Sequence, residues 1–287
     1  MPKLSLIVAT VGRLDVLSRL LASLVKQDSR DFEVIVVDQG IVSKSQQMTE
    51  LVTEFSEHFY LLYLSDNGRG LSRARNIGLR HVRGKYIGFP DDDCWYHEDL
   101  VGTVISFFEN KPDFGILSGI YTEPGVENPN FSRSRCELSP RNFVGKVSSV
   151  GLFINKNSIE GASILFDDRI GAGTELPAAE ETDLLLRLLL LGVKGVYDPL
   201  LVIYHQIYRE KVFTKSDSSA LRRAFWFVIG KNYQPIFSEV KLARGVASCL
   251  FRRNQYGIYN ALQSMFKGYI QGLKARKDRL PVQENRN

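Results

Sequence analysis

Short apolar segments alternate with helical patterns along the N-terminal third of the chain, and this alternation constrains the fold more than any other feature. Leu4–Ala9, Glu33–Asp38, Tyr60–Leu64 and Lys85–Phe89 each have the length and composition of a buried strand. Strands that are apolar on both faces are typical of a parallel sheet covered by helices on both sides. We therefore predict an α/β fold with a Rossmann-like, mostly parallel central sheet flanked by helices.

Polar residues stand where three of these predicted strands end, at Thr10, Asp38 and Asp91. The carboxyl ends of parallel strands lie at one edge of a sheet, and open α/β sheets bind their ligands there. We therefore expect these three side chains to face one binding site.

Three consecutive acids, Asp91, Asp92 and Asp93, follow the fourth predicted strand. Their carboxylates would repel one another unless a cation lies between them. Residues i and i+2 of an extended backbone point the same way, so Asp91 and Asp93 can face one ion while Asp92 faces elsewhere. Oxygen ligands suit Mg²⁺ or Mn²⁺, which take further ligands from phosphates. An acid run alone is more often a surface loop or helix cap, but its place after a strand favours a cation site.

The composition, with 44% hydrophobic and 24% charged residues among 287, is that of a globular protein. Three widely separated cysteines form no zinc-binding spacing, which fits a reduced compartment. We expect no secretory signal, and the leucine-rich segment 184–191 is too short to cross a bilayer. These features predict a cytoplasmic protein.

The positive charge is concentrated at the C-terminus. Residues 241–287 contain ten Lys and Arg against two acids, a net charge of +8, which leaves −3 of the total +5 for residues 1–240. Apolar residues recur there at helical spacing, so the tail is predicted to be a basic amphipathic helix. Such a helix can lie on an anionic membrane surface, here the inner face of the cell membrane, or can pack its apolar stripe on the rest of the chain.

Five short motifs in this order resemble the family 2 glycosyltransferases, and the resemblance covers roughly residues 3–205. The motifs are Ile7–Arg13, Val36–Asp38, Gly70–Leu79, Tyr86–Asp93 and Glu180–Arg187. The preceding Gly-Ala-Gly-Thr segment, residues 171–174, is similar to members that build bacterial surface polysaccharides such as O antigen or capsule. The resemblance implies a GT-A fold, a nucleoside-diphosphate-sugar donor, a divalent metal and inversion at the anomeric carbon.

Carried over residue by residue, the resemblance assigns much of the N-terminal half to the nucleotide sugar. Thr10 and Arg13 would lie beside the nucleotide, and Asp38 would contact the base or ribose. Arg75 would lie near the base and diphosphate, with Asn76 supporting that loop.

The same resemblance assigns the acids after the fourth strand. Asp91 and Asp93 match the family's DxD metal motif, and Asp92 is grouped with the nucleotide-sugar contacts. Trp95 would stack on a sugar or pack in the core. His205 would approach the metal or diphosphate, or serve as a hydrogen-bonded structural residue.

A second chemical centre is predicted at Glu180–Asp183. Glycosyl transfer needs a carboxylate to take the proton of the acceptor hydroxyl. The family's base corresponds to Glu181, where this chain has Glu in place of the usual Asp, and Asp183 is the second candidate. Acids also stabilise a helix N-terminus, and Asp183 can pair with Arg187 one turn away, so structural roles stay open.

These assignments divide the chain into a GT-A domain, residues 1–205, and a basic helical tail, residues 206–287. Within the domain, residues 1–93 would hold the nucleotide sugar and residues 94–205 the acceptor. The irregular segment 122–146 is a candidate lid over the acceptor cleft.

The sequence therefore predicts a metal-dependent inverting glycosyltransferase, with UDP the expected donor nucleotide and a glycan or lipid-linked oligosaccharide as acceptor. One alternative is a nucleotidyltransferase that makes nucleotide sugars, although segment 11–14 is short for its phosphate-binding loop. Another is a non-catalytic module that binds through the basic tail. No nucleic-acid partner is expected, because clustered acids grip phosphates poorly without a metal.

Overall fold

The computed structural model describes residues 1–40, 45–159, 161–206, 215–251 and 258–276. Within them, nine strands form one sheet. The strands are β1 (Leu4–Thr10), β2 (Phe32–Asp38), β3 (Tyr60–Ser65), β4 (Tyr86–Gly88), β5 (Cys94–Trp95), β6 (Phe114–Thr122), β7 (Cys136–Leu138), β8 (Leu152–Asn155) and β9 (Lys194–His205).

Helices connect the strands in the N-terminal part of the chain and follow one another after β9. They are α1 (Leu14–Val25), α2 (Ser45–Ser56), α3 (Leu71–Leu79), α4 (Leu100–Asn110), α5 (Glu180–Leu190), α6 (Lys215–Asn232), α7 (Pro235–Phe251) and α8 (Ile258–Ala275). The predicted α/β architecture with a helical C-terminal part is therefore confirmed. Parts of the predicted tail, residues 207–214, 252–257 and 277–287, lie outside the described residues.

The strand order is β3-β2-β1-β4-β8-β6-β9-β5, with β7 added beside β9. Strands β1 to β4 pair in parallel, as their apolar sequences predict. Beyond β4 the sheet is mixed, because β8 runs antiparallel to both β4 and β6. The parallel half places the ends of β1, β2 and β4 at one edge.

The sheet is covered on both faces, and β1 shows how its sequence achieves this. Leu6 and Val8 join an apolar cluster with residues of α1 and α4. Ile7, between them, joins the opposite cluster with residues of α3, α5 and α6. Gly78 of α3 lies so close to Ile7 that a Cβ at this position would clash with it. Side chains alternate between the two faces of an extended strand, so the single apolar segment of β1 contributes to the apolar clusters on both faces of the sheet.

Helix α6 belongs to the same core as the sheet. Phe227, Val228 and Ile229 are buried in the cluster that contains Ile7. The charged end of α6 is buried as well, since the Lys231 amine lies 2.6 Å from Asp167 and 2.9 Å from Asp183. Helix α6 therefore shares a core with the sheet, and the domain division at residue 205 stays a prediction.

Helix α8 packs on α6 through small residues. Gly268 and Gly272 approach the backbone carbonyls of Arg223 and Phe227, where any side chain would clash. Met265 and Tyr269, part of the apolar stripe seen in the sequence, are buried on this side. The sequence predicted that this stripe either lies on a membrane or packs on the rest of the chain. Met265 and Tyr269 pack on the rest of the chain. No helix among the described residues has both the length and the apolarity needed to cross a membrane.

We predict that Lys231→Ala lowers the free energy of unfolding by about 3 kcal/mol or more, because it leaves Asp167 and Asp183 buried without their shared cation. Denaturant unfolding of the purified chain measures this change. The matched control is Lys194→Ala, since the Lys194–Asp113 pair is solvent-exposed and should contribute little. Equal effects of the two substitutions would contradict the structural role of Lys231.

Candidate active site

The parallel half of the sheet brings the predicted strand-end residues together. Thr10 and Asp38 are register partners at the ends of β1 and β2. Asp91 continues the line of β4 and forms a parallel bridge with Ala9. Asp38 accepts hydrogen bonds from the Tyr63 hydroxyl at 3.1 Å and from the backbone N–H of Gly40 at 2.8 Å. The sheet edge is thus lined by polar groups, as the sequence predicts.

Two of the three consecutive acids meet His205 of β9 at this edge. Ligand atoms of Asp91, Asp93 and His205 all lie within 4.8 Å of one another. The Nε2 atom of His205 is 3.0 Å from a carboxylate oxygen of Asp93. Strand β5 makes this possible, because its antiparallel pairing places Cys94 opposite His205.

Arg13 and His205 stabilise the ionised form of Asp93. Burial opposes ionisation, but the hydrogen bond from His205 and the charge of Arg13 outweigh it and lower the pKa of Asp93 to about 2. In return, Asp93 outweighs the effect of burial on His205 and raises the pKa of the imidazole. The cluster therefore already contains a carboxylate that is charged at neutral pH.

Asp92 points away from the cluster, as the i, i+2 rule predicts. Its carboxylate accepts a hydrogen bond from the Thr10 hydroxyl at 2.6 Å and pairs with the Arg13 guanidinium. Only 1% of Asp92 is exposed, so its assignment as a nucleotide-sugar contact is corrected: it holds Thr10 and Arg13 in place instead. Arg13 itself is half-exposed and also donates to Asp93 at 3.1 Å.

Arg75 and Asn76 on α3 are held by other parts of the chain. Arg75 is completely buried and donates to Asp91 at 2.8 Å and to Glu180 at 3.1 Å, so it reaches the site through these two carboxylates. Asn76 donates to the Phe166 carbonyl at 2.9 Å and accepts from the Phe166 N–H at 2.8 Å. Asn76 therefore supports a neighbouring loop, and its assignment to the nucleotide-sugar site stays a prediction.

Trp95 lies on β5 near the cluster, and its ring is covered from one side. The Arg19 guanidinium stacks 4.1 Å from the centre of the Trp95 ring, and Tyr204 packs beside it at 5.9 Å. Arg19 also donates to the Asp93 carbonyl at 2.8 Å. The sequence analysis did not identify Arg19, although its position on the first helix facing the strand ends was a usable signal.

Glu181 lies at the start of α5, and the backbone before it is strained. Ala179 has a φ of 73°, which a non-glycine residue rarely adopts. Burial and the adjacent negative charge of Glu180 raise the pKa of Glu181 above that of an ordinary carboxyl. A raised pKa suits a carboxylate that must take a proton near neutral pH.

Asp183 does not face the same cleft. It is completely buried and receives hydrogen bonds from Lys231, from Arg187 at 2.9 Å and from Asn232 at 2.7 Å. Burial opposes the ionisation of Asp183, but the positive charges of Lys231 and Arg187 outweigh it and lower the pKa of this carboxyl. Its assignment as a second candidate base is therefore corrected to a structural role, which includes the Asp183–Arg187 pair considered from the sequence.

One cavity of about 450 Å³ joins the two centres. Asp91 and His205 of the cation cluster and the predicted base Glu181 are all among its lining residues. Tyr121 and Phe131 form a further wall that the sequence analysis did not identify. Tyr121 could have been found by the strand-end rule, since it lies near the end of β6.

Comparison with known proteins identifies the family. Residues 5–161, just over half of the chain, match the family described as Glycosyl transferase family 2. The chain belongs to glycosyltransferase family 2.

Curated relatives of this family 2 chain come from bacteria. Glycosyltransferase GlyA of Streptococcus pneumoniae is 35% identical over 103 residues, which are 36% of this chain and 14% of GlyA. TarS of Staphylococcus aureus, a poly(ribitol-phosphate) β-N-acetylglucosaminyltransferase, is 26% identical over 186 residues, or 63% of this chain and 31% of TarS. The matched region thus spans only a small part of these longer relatives.

Solved structures share the fold. TarS residues 1–349 in complex with UDP-GlcNAc superimpose with a TM-score of 0.64 at 18% identity, covering 97% of this chain and 84% of that one. The mannosyltransferase PcManGT from Pyrobaculum calidifontis, solved with GDP-Man and Mn²⁺, gives a TM-score of 0.61 at 15% identity, covering 97% and 88%. The predicted GT-A fold is therefore confirmed.

The residues at the sheet edge fit a divalent cation. Two carboxylates and one imidazole converge within a few ångströms, and this ligand set suits Mn²⁺ or Mg²⁺. Arg75 and Arg13 approach Asp91 and Asp93 from the protein side. Arg75 is paired with Asp91 and Arg13 with Asp93. These two positive charges reduce the repulsion between the two carboxylates, so Asp91 and Asp93 can stay close together.

We predict that Asp93→Ala weakens Mn²⁺ binding at least about tenfold, because it removes one of few charged ligands from the cluster. Titration of the purified chain with Mn²⁺, followed by electron paramagnetic resonance of the free ion, measures this affinity. Asp99→Ala is the matched control, since Asp99 pairs only with exposed His97 among the contacts described for its side chain. Unchanged affinity in Asp93→Ala would contradict the proposed ligand set.

Proposed function

We propose that this protein is a metal-dependent inverting glycosyltransferase that moves a sugar from a nucleoside diphosphate, with UDP the favoured carrier, to a glycan or lipid-linked acceptor of a bacterial surface polysaccharide. One observation carries the proposal: Asp91 and His205, two members of the cluster with Asp93, line the same cavity as Glu181. Family membership supports the reaction class. TarS, whose structure was solved with UDP-GlcNAc, supports the choice of UDP.

The roles of the residues follow from their positions. Asp91, Asp93 and His205 would hold Mn²⁺ or Mg²⁺, which supplies positive charge for the departing diphosphate. Thr10, Arg13 and Asp38 lie at the strand ends beside this cluster and are proposed to hold the nucleotide. Glu181 takes the proton of the acceptor hydroxyl as that oxygen attacks the anomeric carbon from the side opposite the diphosphate.

The competing functions lack such support. A nucleotidyltransferase needs a phosphate-binding loop after β1, but here only three residues, 11–13, join β1 to α1. Carboxyls with a raised pKa in a cavity are typical of catalytic sites. A non-catalytic module would not require the raised pKa of Glu181 in the cavity that Asp91 and His205 also line.

We predict that Glu181→Gln lowers the transfer rate about a thousandfold or more while the affinity for UDP and Mn²⁺ stays within about threefold, since the amide cannot accept a proton. Because the pKa of Glu181 is raised, the base becomes protonated and inactive as pH falls, at a higher pH than for an ordinary Glu. kcat/KM should therefore decline with decreasing pH already above the usual carboxyl range.

The measurement is metal-dependent UDP release from UDP-sugars across a pH series. Glu175→Gln is the matched control, because Glu175 lies outside the cavity lining. Loss of UDP binding in Glu181→Gln would indicate a folding defect rather than a lost base. A rate that stays constant down to pH 5 would reject Glu181 as the base, and absence of any donor cleavage would reject the proposed function.

We further propose that the protein is cytoplasmic and attaches to the inner face of the cell membrane through a patch at the start of α7. The patch consists of Ile236, Phe237 and Val240, of which Ile236 is 74% and Phe237 57% exposed. Leu190 and Leu191 at the end of α5 face it across a groove of about 420 Å³.

Charge favours an anionic lipid surface as the partner of this patch. Lys241 follows Val240 directly, and its amine lies 4.7 Å from the ring of Tyr233 in the groove wall. Arg244 stands about one turn beyond Lys241, and the acid Glu239 precedes Lys241 by two residues. The C-terminal 47 residues add the net charge of +8 noted above.

We predict that Phe237→Ser weakens binding to vesicles containing phosphatidylglycerol about tenfold, because one large apolar side chain no longer enters the interface. Vesicle co-sedimentation measures this. Leu200→Ser is the control, since Leu200 is even more exposed than Phe237 but lies on β9. Unchanged vesicle binding, or loss of self-association instead, would contradict the membrane role.

A further inference from the structure

The cavity beside Glu181 has an aromatic wall that begins at the cation cluster. The His205 ring contacts Tyr121 edge to face at 5.3 Å between centroids, and Tyr121 contacts Phe131 in the same manner at 5.2 Å. All three rings line the cavity that also contains Glu181. The rings thus form a continuous aromatic row that starts at the cation cluster and ends at Phe131.

The segment that carries Phe131 is anchored to the rest of the fold. Buried Asn128 donates to the Tyr121 carbonyl at 2.9 Å, and the Tyr197 hydroxyl donates to the Ser132 carbonyl at 2.5 Å. Strand β7, further along the same segment, pairs with β9. Phe131 is therefore part of a fixed wall. The lid function considered for residues 122–146 stays a prediction, and the contacts described here give the segment a recognition surface without any movement.

The charges in this cavity favour an uncharged ligand. Among the described lining residues, the acidic and basic side chains are Asp91, Glu180, Glu181 and His205. The one basic group of this set is already paired with Asp93. Asp91 and Glu180 share the single buried cation Arg75, which does not reach the cavity. A phosphate placed beside Glu181 would therefore meet more carboxylates than cations and no Lys or Arg of the described lining, which is unfavourable at such short range.

We propose that the acceptor group bound in this cavity is an uncharged sugar whose ring lies against Phe131, and that Phe131 is a specificity-determining residue. The C–H face of a sugar ring is apolar and packs on an aromatic ring, while its hydroxyls stay available for Glu181. Asn130, Ser148 and Ser149 line the same cavity and offer further hydrogen bonds. Any phosphate or lipid of the acceptor lies outside the cavity.

This inference rests on the proposed function, and it differs from what the name of the relative TarS suggests. TarS acts on poly(ribitol-phosphate), a polymer that carries a phosphate in each unit. The acidic lining described here should exclude such a unit from the position next to Glu181. The two chains would then share a fold and a donor type but differ in the charge of the acceptor.

The test compares UDP release from UDP-sugars in the presence of neutral oligosaccharides, such as N-acetylglucosamine disaccharides, lactose and maltose, with release in the presence of poly(ribitol phosphate). At least one neutral sugar should accelerate release above hydrolysis. Phe131→Ala should then raise the KM for that sugar about tenfold, with kcat and donor hydrolysis nearly unchanged. Phe131→Tyr should keep the wild-type KM.

Tyr259→Ala, an aromatic truncation at an exposed position of α8, should leave the KM unchanged. Acceleration by poly(ribitol phosphate) alone, by neither class of acceptor, or an unchanged KM in Phe131→Ala would overturn the proposal. If the wild type still hydrolyses the donor when one of these contradicting results is found, the proposal about the acceptor fails but the proposed function does not. Absence of hydrolysis and of UDP binding would reject the proposed function itself.

Discussion

The buried guanidinium of Arg75 connects the two chemical centres of the site. It donates to Asp91 in the cation cluster and to Glu180, the neighbour of the proposed base. The rings of Phe89 and Phe166 lie 5.9 Å and 5.3 Å from it, so the charge is held in an apolar surrounding where its interactions are strong. One cation thus fixes the distance between an acid on the sheet edge and the first turn of α5.

Positive charge in the protein explains how so many carboxylates occupy a small volume. Arg13 pairs with Asp92 and Asp93, Arg75 with Asp91, and Lys231 with Asp183. Glu181 forms no ion pair among the described residues, although the charge of Arg75 acts on it, and burial together with the charge of Glu180 raises its pKa. Burial also raises the pKa of Asp91 and of Asp92, but each of these acids is paired with an arginine. Glu181 differs from them in its lack of a described ion pair, and it is the carboxyl proposed to exchange a proton.

Much of this arrangement could be predicted from the sequence, because it follows from short-range rules. Apolar strands and their polar ends locate the sheet edge, and the period of a strand separates Asp92 from Asp91 and Asp93. The directions of helical side chains were harder to predict. Arg75 and Asp183 are charged, as site residues often are. On α3 and α5, however, their side chains point into the core, where they form hydrogen bonds with residues distant in sequence. Lys231, 48 residues from Asp183, gave no local signal.

The account requires that the acceptor oxygen displaces the diphosphate in one step, with Glu181 as the base and no covalent sugar–enzyme intermediate. The anomeric configuration of the product tests this most directly. Proton NMR of the sugar transferred from an α-linked UDP-sugar, or of the sugar released to water before it mutarotates, reports that configuration. We expect the β anomer. A product that keeps the α configuration would contradict the account, because retention requires a second displacement or a different placement of the reacting groups.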